Sequence, residues 1–190
     1  AILAWSVLFV LLNNSLIFSQ SNWPRFRGPN GGGLVDGAQL PEDISDAEYH
    51  WKVKLAGIGS SSPVIWGQHL FVTSCDPSSG KLTLACLDAL SGKVRWSKVF
   101  KQGVYRVHGR NNFASSTPAV DENHIYLTYA DPDHTMLVAL DHDGNQKWQR
   151  DFGTWTSQHG FAASPMVYDD KVIVFNSQQS DRLKPGQKSG

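Results

Sequence analysis

Leu87-Asp88-Ala89-Leu90-Ser91-Gly92-Lys93-Val94-Arg95-Trp96 returns in shorter form as Leu140-Asp141-His142-Asp143-Gly144-Asn145-Gln146-Lys147-Trp148. Each phrase closes a unit that opens on a hydroxyl-proline pair, Ser62-Pro63 in the first and Thr117-Pro118 in the second. A third opening stands at Ala163-Ser164-Pro165. The prolines are spaced 55 and 47 residues apart, and Trp51, Trp96 and Trp148 are spaced 45 and 52 apart. That period belongs to propeller blades, units that bury their apolar faces only by stacking on neighbours. No Asp-Gly-Trp half follows the third opening, so the chain reads as about two and a half units of a larger ring.

Between these landmarks the apolar runs are short, β-branched or aromatic, and bounded by Gly, Pro, Asn and Asp, which is the strand signature. The first unit predicts strands at 63–66, 69–74, 82–87 and 94–100. The second predicts 118–120, 125–129, 136–140 and 146–152, and the third 165–168 and 172–175. No stretch sustains a helical period. The expected fold is all-β, a propeller of four-stranded antiparallel blades, with blades at 60–101 and 115–152 and the start of a third at 162–190. Trp51 to Leu55 precedes a Ser-Pro just as each unit's last strand does, so 51–57 reads as an outer strand that closes the ring by joining the last blade.

Ahead of it, 22–50 is rich in Gly and Pro and reads as an irregular lead pinned by Trp23 and Phe26. Residues 1–12 are almost wholly apolar, and polar residues follow at Asn13-Asn14-Ser15. Twelve residues are too few for about 30 Å of hydrocarbon at about 1.5 Å per residue. The length suits the apolar part of a secretory signal, so 1–21 reads as an export signal, with an uncleaved membrane anchor as the alternative. The expected location is periplasmic or extracellular, and the only expected membrane contact is through that segment.

Seventeen basic and seventeen acidic residues cancel, and no basic run interleaves with aromatics, so nucleic acid is not an expected partner. Cys75 and Cys86 lie in consecutive runs. Facing each other across a hairpin they would form a disulfide in an exported protein; otherwise they are two buried free thiols.

The phrase from Cys86 to Trp96 resembles the tryptophan-docking motif of the pyrroloquinoline-quinone (PQQ) repeat family, Ala-x-Asp-x-x-Thr-Gly-x-x-x-Trp. Cys86 replaces its Ala and Ser91 its Thr, while Ala139 to Trp148 keeps the Ala and is one residue shorter. The physical reading of the motif agrees: the Asp caps backbone N–H groups, the Gly takes a positive φ, and the Trp packs between blades. Trp51, Asp88, Gly92, Trp96, Asp141, Gly144 and Trp148 are therefore expected to be structural.

The resemblance implies one of two functional classes. Quinoprotein dehydrogenases oxidise alcohols or sugars with PQQ and calcium at the ring centre. Non-enzymatic propellers include the outer-membrane barrel-assembly lipoprotein and exported proteins known only as PQQ-binding-like, which the lead and Ser157 to Pro165 resemble most. Asp88 and Asp141 are committed to corners, and Asp121, Asp169 and Asp170 fall in turns, so no cofactor is expected. PQQ and calcium belong to the enzymatic alternative.

The remaining polar residues cluster where the chain crosses between units. Arg106, His108, Arg110, Asn111, Asn112, Gln158 and His159 are predicted on the mouth of the central channel, as a rim for a protein or carbohydrate ligand. The competing role is hydrogen bonding to the loop backbone. Two His without Cys or carboxylate companions make no expected metal site. The serines ahead of the prolines lack a nucleophile elbow and recur in register, which marks them as structural.

Overall fold

The computed structural model describes residues 22–35, 37, 44–157 and 159–179. Residues 1–21, expected to be an export signal or membrane anchor, lie outside them. The first sheet is β1 (Val64–Trp66), β2 (His69–Asp76), β3 (Lys81–Asp88) and β4 (Val94–Lys101), and the second is β5 (Ala119–Val120), β6 (Ile125–Ala130), β7 (Thr135–Leu140) and β8 (Gln146–Asp151). Both are antiparallel meanders in sequence order. A third hairpin pairs β9 (Met166–Tyr168) with β10 (Lys171–Ile173). Beyond one 3-10 turn at Asp46–Glu48, no helix occurs among the described residues.

β1, β5 and β9 lie next to one another, so the sheets stand side by side with their first strands innermost: this is a β-propeller. Strand alternation supplies the packing. In the first blade Phe71 and Cys75 of β2 and Leu82, Leu84 and Cys86 of β3 share one face; in the second, Ile125 and Leu127 of β6 and Val138 and Leu140 of β7 do. These two faces form one buried cluster, joined by Phe113 and Ala114. On the opposite face of the second blade, Ala119, Tyr126, Leu137 and Ala139 receive Val167 and Val172 of the third unit. The outer face of the first blade, Val72, Ala85 and Leu87, receives Leu55. In the second blade the middle strands are apolar on both sides because it has a neighbouring unit on each side.

The corner phrase explains how neighbours are held. The Trp96 indole N–H donates to the His142 carbonyl at 2.9 Å, and its ring lies on Gly144, where a Cβ would come within 3.1 Å of it. Trp51 does the same one unit earlier, donating to the Ala89 carbonyl at 3.1 Å with its ring on Gly92, where a Cβ would approach to 2.6 Å. Both glycines also have positive φ, 70° at Gly92 and 86° at Gly144, so their lack of a side chain serves twice.

Each corner is braced by its aspartate. Asp88 Oδ1 accepts the Ser91 N–H at 2.9 Å and its Oδ2 accepts Arg95 at 2.5 Å; Asp141 Oδ1 accepts the Asn145 N–H at 2.8 Å and its Oδ2 pairs with Lys147 at 2.8 Å. Arg95 and Lys147 hold these carboxyls well below the usual carboxylate range. Both cations sit at the same irregularity: pairing passes from Cys86–Trp96 to Leu87–Val94, and from Ala139–Trp148 to Leu140–Gln146, skipping the basic residue. The bulge turns that residue back towards the aspartate.

Residues 51–57, expected as an outer strand, form no ladder among the described residues; Trp51 nonetheless docks as Trp96 does. Phe26 is largely exposed, so Trp23 alone of the two pins the lead through burial. Cys75 faces Leu82 and Cys86 faces Phe71, which separates the thiols by four ladder positions and leaves both free and buried. Such an offset is about 13 Å along the strand, against a Cα separation below about 7 Å for a disulfide. Burial pushes the Cys86 thiol up to about 12 and raises that of Cys75.

A thiol reagent at pH 8 should therefore titrate neither cysteine in the native protein and both after unfolding without reductant. For packing, Trp96→Ala should cost about 2–4 kcal/mol in urea unfolding. Trp148→Ala, at a ring 37% exposed with no following corner against it among the described residues, should cost less than half as much.

Candidate functional site

The crossings stand at the ends of the inner strands opposite the hairpin turns, and hydroxyls stitch them together. The Ser62 N–H donates to Thr117 Oγ1 at 2.9 Å, and the Thr117 N–H donates to Ser164 Oγ at 3.0 Å. One step deeper, Ser116 Oγ and Thr128 Oγ1 both donate to the Ala163 carbonyl, at 3.0 and 2.9 Å. The hydroxyl-proline pairs are thus rungs between successive blades: the proline starts the inner strand and the hydroxyl before it binds its neighbour.

On this scaffold His108 and His159, from successive crossings, lie with ring centroids 5.5 Å apart and tilted by 53°. The Arg110 backbone N–H donates to His108 Nδ1 at 3.3 Å, and Asn111 Nδ2 lies 3.2 Å from His159 Nδ1. The structure therefore brings His108, Asn111 and His159 together. Asn112 is used otherwise: its Nδ2 donates to Ser60 Oγ at 2.7 Å and its Oδ1 accepts the Ala114 N–H at 2.8 Å. For Asn112 the backbone-bracing role wins. Arg106 and Arg110 are exposed, and Gln158 lies outside the described residues.

Beside the histidines, Arg106 borders a cleft of about 240 Å³ with Tyr105, Pro132, Thr154, Trp155, Thr156 and Ser157. Its aromatic wall is layered: Trp155 meets Tyr105 edge-on at 6.0 Å and Phe161 at 5.6 Å. Tyr105 is anchored by its hydroxyl, which donates to the Ala130 carbonyl at 3.2 Å, and burial pushes its phenol up to about 12. Buried Gln178 holds the far loop, accepting the Thr156 N–H at 2.9 Å and donating to the Thr154 carbonyl at 3.1 Å. Trp155 is 6% exposed, yet its indole N–H meets no acceptor among the described residues. A buried donor without a partner costs about 1–3 kcal/mol.

Sequence reasoning missed these aromatics. Their signal was present: Gly103-Val104-Tyr105 and Gly153-Thr154-Trp155 repeat a Gly-x-aromatic phrase in register after each outer strand. Blade 1 is also tied here to blade 2, because buried Asp131 Oδ2 accepts the Gly103 N–H at 2.6 Å while its Oδ1 accepts those of Asp133 and His134.

A calcium-bound quinone would need hard oxygen ligands converging on the axis and flat stacking partners above and below it. Among the described residues no three His, Cys, Asp or Glu lie together. The axis-facing edges of β1 and β5 hydrogen-bond instead to Trp23 and Pro24. These residues do not fit that group.

The family model described as outer membrane protein assembly factor BamB matches residues 43–184. Among solved structures, BamB from Moraxella catarrhalis is similar at 24% identity with a TM-score of 0.49, over 64% of this chain and 35% of that one. The chain thus spans 35% of the length of that structure. A search of curated proteins finds no match.

The two kinds of crossing residue should separate on mutation. Asn112→Ala should cost about 1–3 kcal/mol in chemical unfolding by orphaning its partners, whereas Arg106→Ala should stay within about 0.5 kcal/mol of the parent.

Proposed function

Since the chain belongs to the family described as outer membrane protein assembly factor BamB, we propose that it is an exported, non-enzymatic propeller that acts as a binding or protein-assembly scaffold. Its ligand face is the crossing face. The observation that carries this reading is the convergence of His108 and His159 from successive crossings, which also supply Arg106 and Trp155 to the lining of one cleft.

The chemistry of that face suits a ligand with acceptor oxygens and some apolar surface, a peptide segment or a carbohydrate. Arg106 supplies a cationic fork, Thr154, Thr156 and Ser157 hydroxyls, Trp155 and Tyr105 stacking surface. Blade-to-blade bonding absorbs the other recurring polar residues: the corner aspartates cap their turns, the Thr117 and Ser164 hydroxyls accept backbone N–H groups of the preceding unit, and the Ser116 hydroxyl donates to the next. The family description supports protein assembly as the role and export as the setting. Under this reading neither PQQ nor calcium takes part, and the membrane is met only through the segment before residue 22.

An array of peptides and oligosaccharides should yield ligands that bind the parent and lose at least about tenfold, or 1.4 kcal/mol, on the Arg106→Ala, His108→Ala, His159→Ala variant with its melting temperature kept. Equal affinity in that variant would remove the crossing face. Mixing the protein with PQQ and calcium should give no bound-quinone spectrum; such a spectrum together with dye-linked oxidation of an alcohol or sugar would overturn the non-enzymatic reading.

A further inference from the structure

The first strand of each blade pairs on one side within its sheet and turns its other edge to the ring axis. Such an edge is an open row of N–H and C=O groups. Here the lead takes it up. Trp23 makes both bonds of an antiparallel bridge with Ile65 of β1, each N–H to carbonyl at 2.9 Å. One blade on, the Val120 N–H of β5 donates to the Pro24 carbonyl at 2.8 Å. Asn22 Oδ1 accepts the N–H of Gly67, in the turn after β1, at 2.9 Å. Arg25 and Phe26 then reach the third unit, where with Ser164, Pro165 and Met166 they border a cleft of about 270 Å³. One peptide bonds two consecutive inner strands and borders the third.

The peptide also holds its own shape. Its Trp23 ring lies on Gly28, whose φ is 75° and where a Cβ would come within 2.7 Å of the indole. The Gly28 N–H donates to the Arg25 carbonyl at 2.9 Å, and the Arg25 guanidinium folds back to the Pro29 carbonyl at 3.3 Å. Proline suits its place, because the bond made there uses its carbonyl and it has no N–H to leave unpaired.

We propose that the inner edges of β1, β5 and β9 form a peptide-binding track across the ring axis, with residues 22–29 as its tethered resident ligand. Recognition is by strand addition, and the ligand class is an extended peptide with a Trp-Pro pair followed by Arg. The resident peptide approaches from the hairpin-turn end, through Gly67 and Val120, opposite the crossings. A ligand entering past His108 and His159 therefore meets a floor built from the chain's own lead.

Residue-resolved hydrogen exchange on the full chain tests this. Gly28→Val, which drives a side chain into the Trp23 ring, and Trp23→Ala should each speed exchange at the Ile65 and Val120 amides at least about tenfold. Exchange at Leu84 and Leu127, in the middle strands, should stay as in the parent. A synthetic peptide of residues 22–30 added in excess should slow Ile65 and Val120 again, and the same peptide with Trp23→Ala should not. Unchanged exchange at both amides in both variants, acceleration equal at all four positions, or no rescue by the parent peptide would each overturn the proposal.

Discussion

An indole seated on the corner glycine of the next unit is the contact on which this fold depends. It joins the last strand of one unit to the corner before the last strand of the next, which neither strand pairing nor chain connectivity does. The corner must present a bare Cα at a positive φ, its carbonyl must aim at the indole N–H, and its turn must be rigid. Gly92 and Gly144 meet the first demand, the carbonyls of Ala89 and His142 the second, and Asp88 and Asp141 the third. The bulges that turn Arg95 and Lys147 back onto those aspartates belong to the same device. One short phrase therefore specifies a turn, a bulge, an ion pair and a contact between blades.

With the outer rim fixed in this way, the inner ends are tied by other means. Hydroxyls ahead of the inner-strand prolines accept backbone N–H groups of the preceding unit, and Asn112 and Asp131 add links between loops. Between the two sets of ties lies an apolar core shared by facing blades, so the second blade is sandwiched and shares its core with both neighbours. This division leaves the crossing face as the place where polar side chains exceed the needs of the fold. His108 and His159 meet there, and the Trp155 indole N–H is buried without an acceptor among the described residues.

The blades were legible in the sequence almost to the residue, because alternation, turn residues and the corner phrase all act within a few positions of one another. β2 ran two residues past its expected end, to Asp76, where hairpin pairing with Lys81 extends the ladder. What the sequence hid depends on register or on distant partners. The thiols of Cys75 and Cys86 are kept apart by a four-position offset that no local signal records. The lead looked irregular because its regularity lies in bonds to Ile65 and Val120, supplied by other strands. In the candidate site, loop position alone was enough to group His108 with His159. Asn112 bonds Ser60 and the Ala114 backbone, and the Tyr105 and Trp155 wall was overlooked although its Gly-x-aromatic phrase repeats.

The central claim, that the ring of one unit and the glycine of the next form a single dock, is tested most directly by a double-mutant cycle on Trp96 and Gly144 followed by equilibrium unfolding. In the parent, Gly144→Ala meets both the positive φ and the indole; in the Trp96→Ala background only the backbone term is left. The account predicts that Gly144→Ala costs less in that background, with a coupling energy above about 0.5 kcal/mol. Costs that add to within error would contradict it, and would place the cohesion of the blades elsewhere.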